Sequence, residues 1–259
     1  QLFKERKLKP SEVTDFYLGR ITKVDKEIQA FEEVYRDSAT LLAKKADLAF
    51  ESGKSIGPFH GIPFVLKDIF DVEDKITTSG SKLFNKQVAK STSSMAKHLL
   101  DAGGILLGKS KTVQFAFGGW GTNQEMGTPR NPWDNKNHRI CGGSSSGSAA
   151  ALASNLTVCA TGTDTGGSVR LPASFCGLTG LKVTKGLLST KGIAPLSHTL
   201  DTPGPMARSL LDLVIMFETM KGAQGTKLEE NMLQERGLFK SIEEGVEGLH
   251  IGSIGVRDR

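Results

Sequence analysis

Apolar positions recur at helical spacing near the start of the chain. Val13, Phe16, Tyr17, Ile21 and Val24 form one stripe behind Pro10 and Ser11, which read as a helix start. A second helix is predicted over residues 38–51, with Leu42, Ala46 and Ala49 inward and Gly53 just past its end. The period then changes. IPFVLKD (residues 62–68) is an apolar run closed by Lys67, the pattern of a buried strand. A helix near residues 93–101 leads into AGGILLG (102–108), another short buried strand. Residues 118–147 are rich in Gly, Asn, Pro and Ser and predict a long ordered loop, which inside a compact domain is usually functional. SAAALASNL (148–156) reads as a helix of small residues and TVCATGTDT (157–165) as a strand. Helices alternating with strands predict an α/β fold, taken as one domain over residues 1–259 without internal repeats.

With 259 residues, 38% hydrophobic and 24% charged, the chain can bury a substantial core. Its 33 basic and 28 acidic residues are scattered, with no basic run or aromatic interleaving, so no direct nucleic-acid partner is expected. Cys141, Cys159 and Cys176 form no C-x-x-C pair, and three thiols cannot all pair within the chain; they read as reduced cysteines. No apolar stretch is long enough for a bilayer, and QLFKERKLKPSEV lacks the apolar core of a signal peptide. The expectation is a cytoplasmic protein with no evident membrane contact.

Three glycine-rich motifs bear on chemistry. GGILLGKS (103–110) satisfies the phosphate-loop spacing, yet Ile105, Leu106 and Leu107 occupy the loop positions and read as the strand itself. GSSSG (143–147) satisfies the nucleophile-elbow spacing, with Asp164 or Asp201 and His198 or His250 downstream in the right order. The polar NPWDNKNHRICG before it is no strand. The third pattern is a pair, CGGSSSGSAAA (141–151) and GTDTGGSVRLP (162–172), separated by one helix and one strand. Either half alone could be an ordinary turn. Both together, with Lys67 closing an apolar strand upstream, are harder to assign to chance.

At these residues the chain resembles the amidase signature hydrolases, from GIPFVLKD through GTPRNPWD and GGSSSGSAAA to GTDTGGSVRLPASFCGLTGLKVT. The resemblance implies the amidase signature fold, a mixed β-sheet core flanked by helices. It also implies a Ser, cis-Ser, Lys triad. The lysine of the G-I-P-x-x-x-K-D motif falls on Lys67, the cis-serine on Ser144 and the nucleophile on Ser168; the separation of 24 residues (168 minus 144) matches the family spacing. Main-chain amides of Thr165, Gly166, Gly167 and Ser168 would form the oxyanion hole. Asp164 and Arg170 flank the turn, either holding its shape or forming an ordinary ion pair. The implied reaction hydrolyses a small-molecule amide through an acyl-enzyme, with no metal or organic cofactor, and leaves a homodimer open.

The residue types suit that chemistry independently. A serine hydroxyl becomes a competent nucleophile only when a base takes its proton. Lysine can be that base when neutral, and burial in an apolar surrounding lowers its pKa. Without the serine motifs, Lys67 would read as a strand-end surface lysine paired with Asp68 or Asp71. Glycine lets backbone N–H groups approach a developing oxyanion without a Cβ in the way.

The five histidines are too widely spaced for a metal motif, and His60 and His198 read as loop or core residues. Phe115, Phe117 and Trp120 either line an acyl pocket or pack in the core. Among family members the GGSSSGS and FAFGGWGTNQ segments look more like general amidases than the glutaminase-type subunit of the tRNA-dependent amidotransferase; a non-catalytic subunit that retains the fold is the remaining alternative. Family members usually carry more sequence after the signature core. The expectation is therefore a chain lacking carboxyl-terminal strands and helices, with an apolar sheet edge uncovered and poor stability alone.

Overall fold

The computed structural model describes residues 2–54, 57–222, 242, 244–248 and 250. Pro10, whose missing N–H costs nothing in a first turn, opens α1 (Pro10–Ile28). After a four-residue strand β1 (Phe31–Val34), too short to show a period, α2 runs over Arg36–Glu51, two residues earlier than predicted. The apolar runs form β2 (Pro63–Lys67) and β3 (Ile105–Ser110), with α3 (Ser94–Asp101) between them. The small-residue segment forms α4 (Ser146–Ala153), followed by β4 (Cys159–Asp164). Beyond these lie α5 (Arg170–Phe175), β5 (Thr179–Gly180), β6 (Thr202–Ala207) and α6 (Leu210–Met220).

The six strands form a mixed sheet in the order β1-β3-β2-β4-β6-β5. β2 runs parallel to both β3 and β4, while β1, β6 and β5 add antiparallel pairings. Strand β6, TPGPMA, escapes a sequence reading because two prolines and a glycine signal a turn. Pro203 and Pro205 sit at alternate positions of its ladder with β4, so their nitrogens face the same side. There β5 pairs only with Met206 and Ala207.

The predicted end of the AGGILLG strand at Gly108 is extended: β3 continues through Lys109 to Ser110. Gly108 lies inside the strand because a Cβ there would come within 2.1 Å of the Glu33 carbonyl oxygen on β1. The GKS triplet is therefore strand, not a phosphate-binding turn.

Two apolar cores lie on opposite faces of the sheet. Phe64 and Leu66 of β2 pack with Met95, Leu99 and Phe217; Val65 packs with Leu18, Ile21, Leu107 and the alanines of α4. This alternation along β2 decides where the chemistry sits, because Lys67, two residues beyond Val65, continues on the Val65 side. Ser110, opposite Lys67 in the β2–β3 register, faces the same way and shares a 2.7 Å hydrogen bond with Ser148 of α4. Small residues let α4 come this close: a Cβ on Gly147 would meet the Ala30 oxygen at 2.4 Å.

Candidate active site

Lys67, at the end of β2, is fully buried. Its Nζ lies 2.8 Å from Ser144 Oγ and 2.9 Å from Thr163 Oγ1 on β4, and its main-chain N–H donates to Thr161 Oγ1 at 3.1 Å. Burial pushes its pKa down to about 7, against the opposing pull of the Asp201 and Asp164 carboxylates. The alternative of a surface lysine paired to Asp68 or Asp71 fails. Asp68 turns to the other face, where its Oδ1 lies 3.3 Å from Lys109 Nζ and its other oxygen accepts from the Thr78 N–H and hydroxyl.

Ser144 is held by its backbone. Its carbonyl accepts from the Val113 N–H at 3.2 Å and the Thr112 hydroxyl at 3.0 Å, and the Gly143–Ser144 peptide bond is cis. A Cβ on Gly143 would sit 2.6 Å from the Gly118 oxygen, so only glycine fits this crossing of two loops. The two serine-bearing segments are tied directly: the Ser145 N–H donates to the Ser168 carbonyl at 3.3 Å, and the Thr163 N–H to Ser145 Oγ at 3.4 Å.

Ser168 lies on the turn after β4 and is 9% exposed. Its hydroxyl makes no hydrogen bond to Ser144 among the described residues, so the chain of contacts is closed from Lys67 to Ser144 and open from Ser144 to Ser168.

Asp164 organises the turn. Its buried carboxylate accepts from the N–H groups of Gly167 at 2.8 Å, Val169 at 3.2 Å and Arg170 at 3.3 Å, and from both Nε and Nη2 of Arg170 at 3.0 and 2.9 Å. Burial alone would raise its pKa; the Arg170 and backbone hydrogen bonds outweigh it and hold the carboxyl below its ordinary value. The two readings of this pair therefore coincide, since the ion pair is what shapes the turn. One expected donor is corrected: the Gly167 N–H is taken by Asp164, leaving Thr165, Gly166 and Ser168 as the N–H groups of the turn with no acceptor among the described residues. The paired glycines differ in kind. Gly167 has φ +128°, and a Cβ would lie 3.0 Å from Leu171, whereas a Cβ on Gly166 would meet nothing within 4 Å.

Thr163 also walls a cavity of about 220 Å³ with Ile69, Ala116, His198, Asp201 and Pro203. A second, of about 450 Å³, shares Ile69, Ile193, Ala194 and Pro195 with it and reaches Phe84 and Phe115. Of the three aromatics singled out in the sequence, Phe115 lines this space, while Phe117 and Trp120 are 78% and 71% exposed and belong to no core. His60 is buried against Phe50, which pushes its pKa down, and His198 is a cavity-wall loop residue. The three cysteines are buried and form no disulfide.

Thr163 and Asp201 contact the site but escape a motif reading. For Thr163 the signal was the T-x-T alternation of Thr161 and Thr163 along β4. Asp201 figures in the sequence only as a possible acid of the nucleophile-elbow spacing, which carries no link to Thr165; the β4–β6 pairing creates that contact. Among the described residues no group of three His, Cys, Asp or Glu could hold a metal ion, and no helix is long and apolar enough to cross a membrane.

The chain is 42% identical to a glutamyl-tRNA(Gln) amidotransferase subunit of Thermobifida fusca over 211 residues, 82% of this chain and 42% of that protein. It superimposes on the native peptide amidase of Stenotrophomonas maltophilia with a TM-score of 0.79 and 34% identity, over 91% of this chain and 49% of the other. A structure described as an unexpected vestigial protein complex, revealing the origins of an s-triazine catabolic enzyme, matches with a TM-score of 0.85 and 31% identity, over 96% and 54%. The chain spans about half the length of the curated relatives it matches. Since the lysine strand, the glycine-paired serine loop and the serine turn converge in one place, and the family model described as Amidase matches residues 12–255, this chain belongs to the amidase family.

Proposed function

We propose that this chain carries the acyl-transfer centre of an amidase that hydrolyses a small-molecule carboxylic acid amide through an acyl-enzyme on Ser168. The observation that supports this most is the buried Lys67 amine, 2.8 Å from Ser144 Oγ and without a carboxylate contact among the described residues.

A neutral amine can keep one N–H on Thr163 while its lone pair takes the Ser144 proton. Ser144 in turn accepts the proton of Ser168 as that oxygen bonds to the amide carbon. The carbonyl oxygen becomes an oxyanion, facing the N–H groups of Thr165, Gly166 and Ser168; losing one such donor costs about 3 kcal/mol of transition-state stabilisation. The proton returns through Ser144 to the leaving nitrogen, the C–N bond breaks, and ammonia or an amine departs. Water then attacks the ester along the same route and releases the acid.

Incubation with a fluorophosphonate probe or an acyl anilide tests this. Labelling of the wild type and none of Ser168→Ala is expected; equal labelling of both removes Ser168 from the role.

The second reading is the glutaminase-type component of a tRNA-dependent amidotransferase, favoured by the name carried by curated relatives at 36–42% identity. Ammonia release from glutamine, stimulated by partner subunits, would select it over a general amidase. An unlabelled wild type would favour a non-catalytic subunit.

A further inference from the structure

We propose that Asp201 is a positioning residue of the acyl-transfer centre, holding Thr165, and with it the first N–H donor of the oxyanion turn, against the wall of the acyl cavity. The inference rests on the amidase reading above.

Asp201 immediately precedes β6, and the ladder that pairs Asp164 with Thr202 sets it opposite Thr165, the first residue beyond β4. It is 9% exposed. Oδ1 accepts the Thr165 hydroxyl at 2.6 Å, Oδ2 accepts the Leu196 N–H at 2.8 Å, and the Ser197 N–H lies 3.0 Å from both oxygens. The main chain of Asp201 is fixed as well, its N–H donating to the Ser197 carbonyl at 2.9 Å and its carbonyl accepting from Lys185 Nζ at 2.8 Å. One carboxylate thus fastens two things that must keep register during acyl transfer: the turn that receives the oxyanion, and the Leu196–His198 stretch that walls the cavity. An error of about an ångström between them is enough to slow catalysis by about two orders of magnitude.

The same charge reaches the base. Asp201 and Asp164 both favour protonated Lys67. Asp164 is compensated by Arg170, and Asp68 lies on the opposite face paired to Lys109, while His198 shares the cavity wall with Asp201. Replacing Asp201 by its neutral isostere therefore disturbs the turn and makes Lys67 easier to deprotonate, two effects with separate readouts.

The test measures acyl-anilide hydrolysis against pH for the full chain, for Asp201→Asn, Thr165→Val, Thr165→Ser and the Asp201→Asn/Thr165→Val double variant, with Lys67 titrated by NMR of ¹³C-labelled lysine. Asp201→Asn and Thr165→Val should each lower kcat by about 10- to 100-fold with KM within about twofold. The double variant should be no slower than the worse single one, since both remove one contact. Thr165→Ser, which keeps the hydroxyl, should retain about tenfold more activity than Thr165→Val. The Lys67 titration and the acid limb of kcat should both move to lower pH in Asp201→Asn and stay in place in Thr165→Val. Thr165→Val leaves Asp201 its backbone donors, so it judges the contact even if Asp201→Asn fails to fold. An active wild type with unchanged variants, or a fully additive double variant, overturns the role of Asp201 alone; an inactive wild type overturns the amidase reading and this inference with it.

Discussion

Asp68 directs its carboxylate to Lys109, 3.3 Å away on β3, and not to Lys67 beside it in the chain. Strand alternation separates the neighbours. One face of the sheet holds a paired lysine, and the other holds a lysine with no carboxylate contact among the described residues. Burial pushes Asp68 up and Lys109 down, and each is opposed by the charge of the other.

Breaking that pair should be costly. Lys109→Ala leaves Asp68 buried without its counter-ion and is expected to destabilise the fold by about 3–5 kcal/mol, whereas a Lys109→Met/Asp68→Leu double variant should recover most of it. Urea denaturation midpoints of the three proteins measure this; a single variant as stable as the wild type would contradict the pairing.

The pH dependence of acylation should report Lys67. Only the neutral amine can accept the Ser144 proton, so kcat/KM should rise with pH through about 7 and level off above it. A limb near the ordinary lysine value of 10.5 would mean that the base is solvated.

Lys67 should also make stability depend on pH. Between about 7 and 10.5 the unfolded chain binds a proton at this lysine that the folded chain does not, so stability contributed here rises with pH by up to about 1.4 kcal/mol per unit and is least below 7. Replacement by methionine removes this slope. Comparing the difference in unfolding free energy between wild type and Lys67→Met at about pH 6.5 and about pH 9 should show the gap moving in favour of the wild type at the higher pH; a constant gap would argue against a depressed lysine.

The two glycines of the serine turn should separate folding from catalysis. Gly167→Ala forces a side chain to φ +128° against Leu171 and is expected to cost about 1–3 kcal/mol of stability. Gly166→Ala meets no protein atom, so its melting temperature should stay close to wild type while its methyl obstructs the approach to the neighbouring N–H donors and lowers kcat. Equal melting temperatures for both variants would show that the turn tolerates a Cβ at either place.

Local pattern was enough for the helix behind Pro10, the apolar strands β2 and β3, the small-residue helix α4 and strand β4, because each is written in the spacing of nearby residues. The lysine and the two serine loops were legible as motifs for the same reason. The Gly167 donor was misassigned because motif spacing carries no direction for an N–H, and here the Asp164 carboxylate claims it. Hydrophobicity alone does not say whether Phe117 and Trp120 have neighbours, and both are exposed.

By itself the chain's order of residues determined an α/β architecture and the presence of a lysine and two serines in glycine-rich settings. Only the folded sheet decided that Lys67 faces Ser144 and Thr163 while Asp68 faces Lys109, and that Asp201 meets Thr165 across the β4–β6 ladder. Periodicity reports which residues share a side of one element, but contacts between residues 36 to 96 positions apart depend on how strands pair, a property of the assembled sheet rather than of any segment.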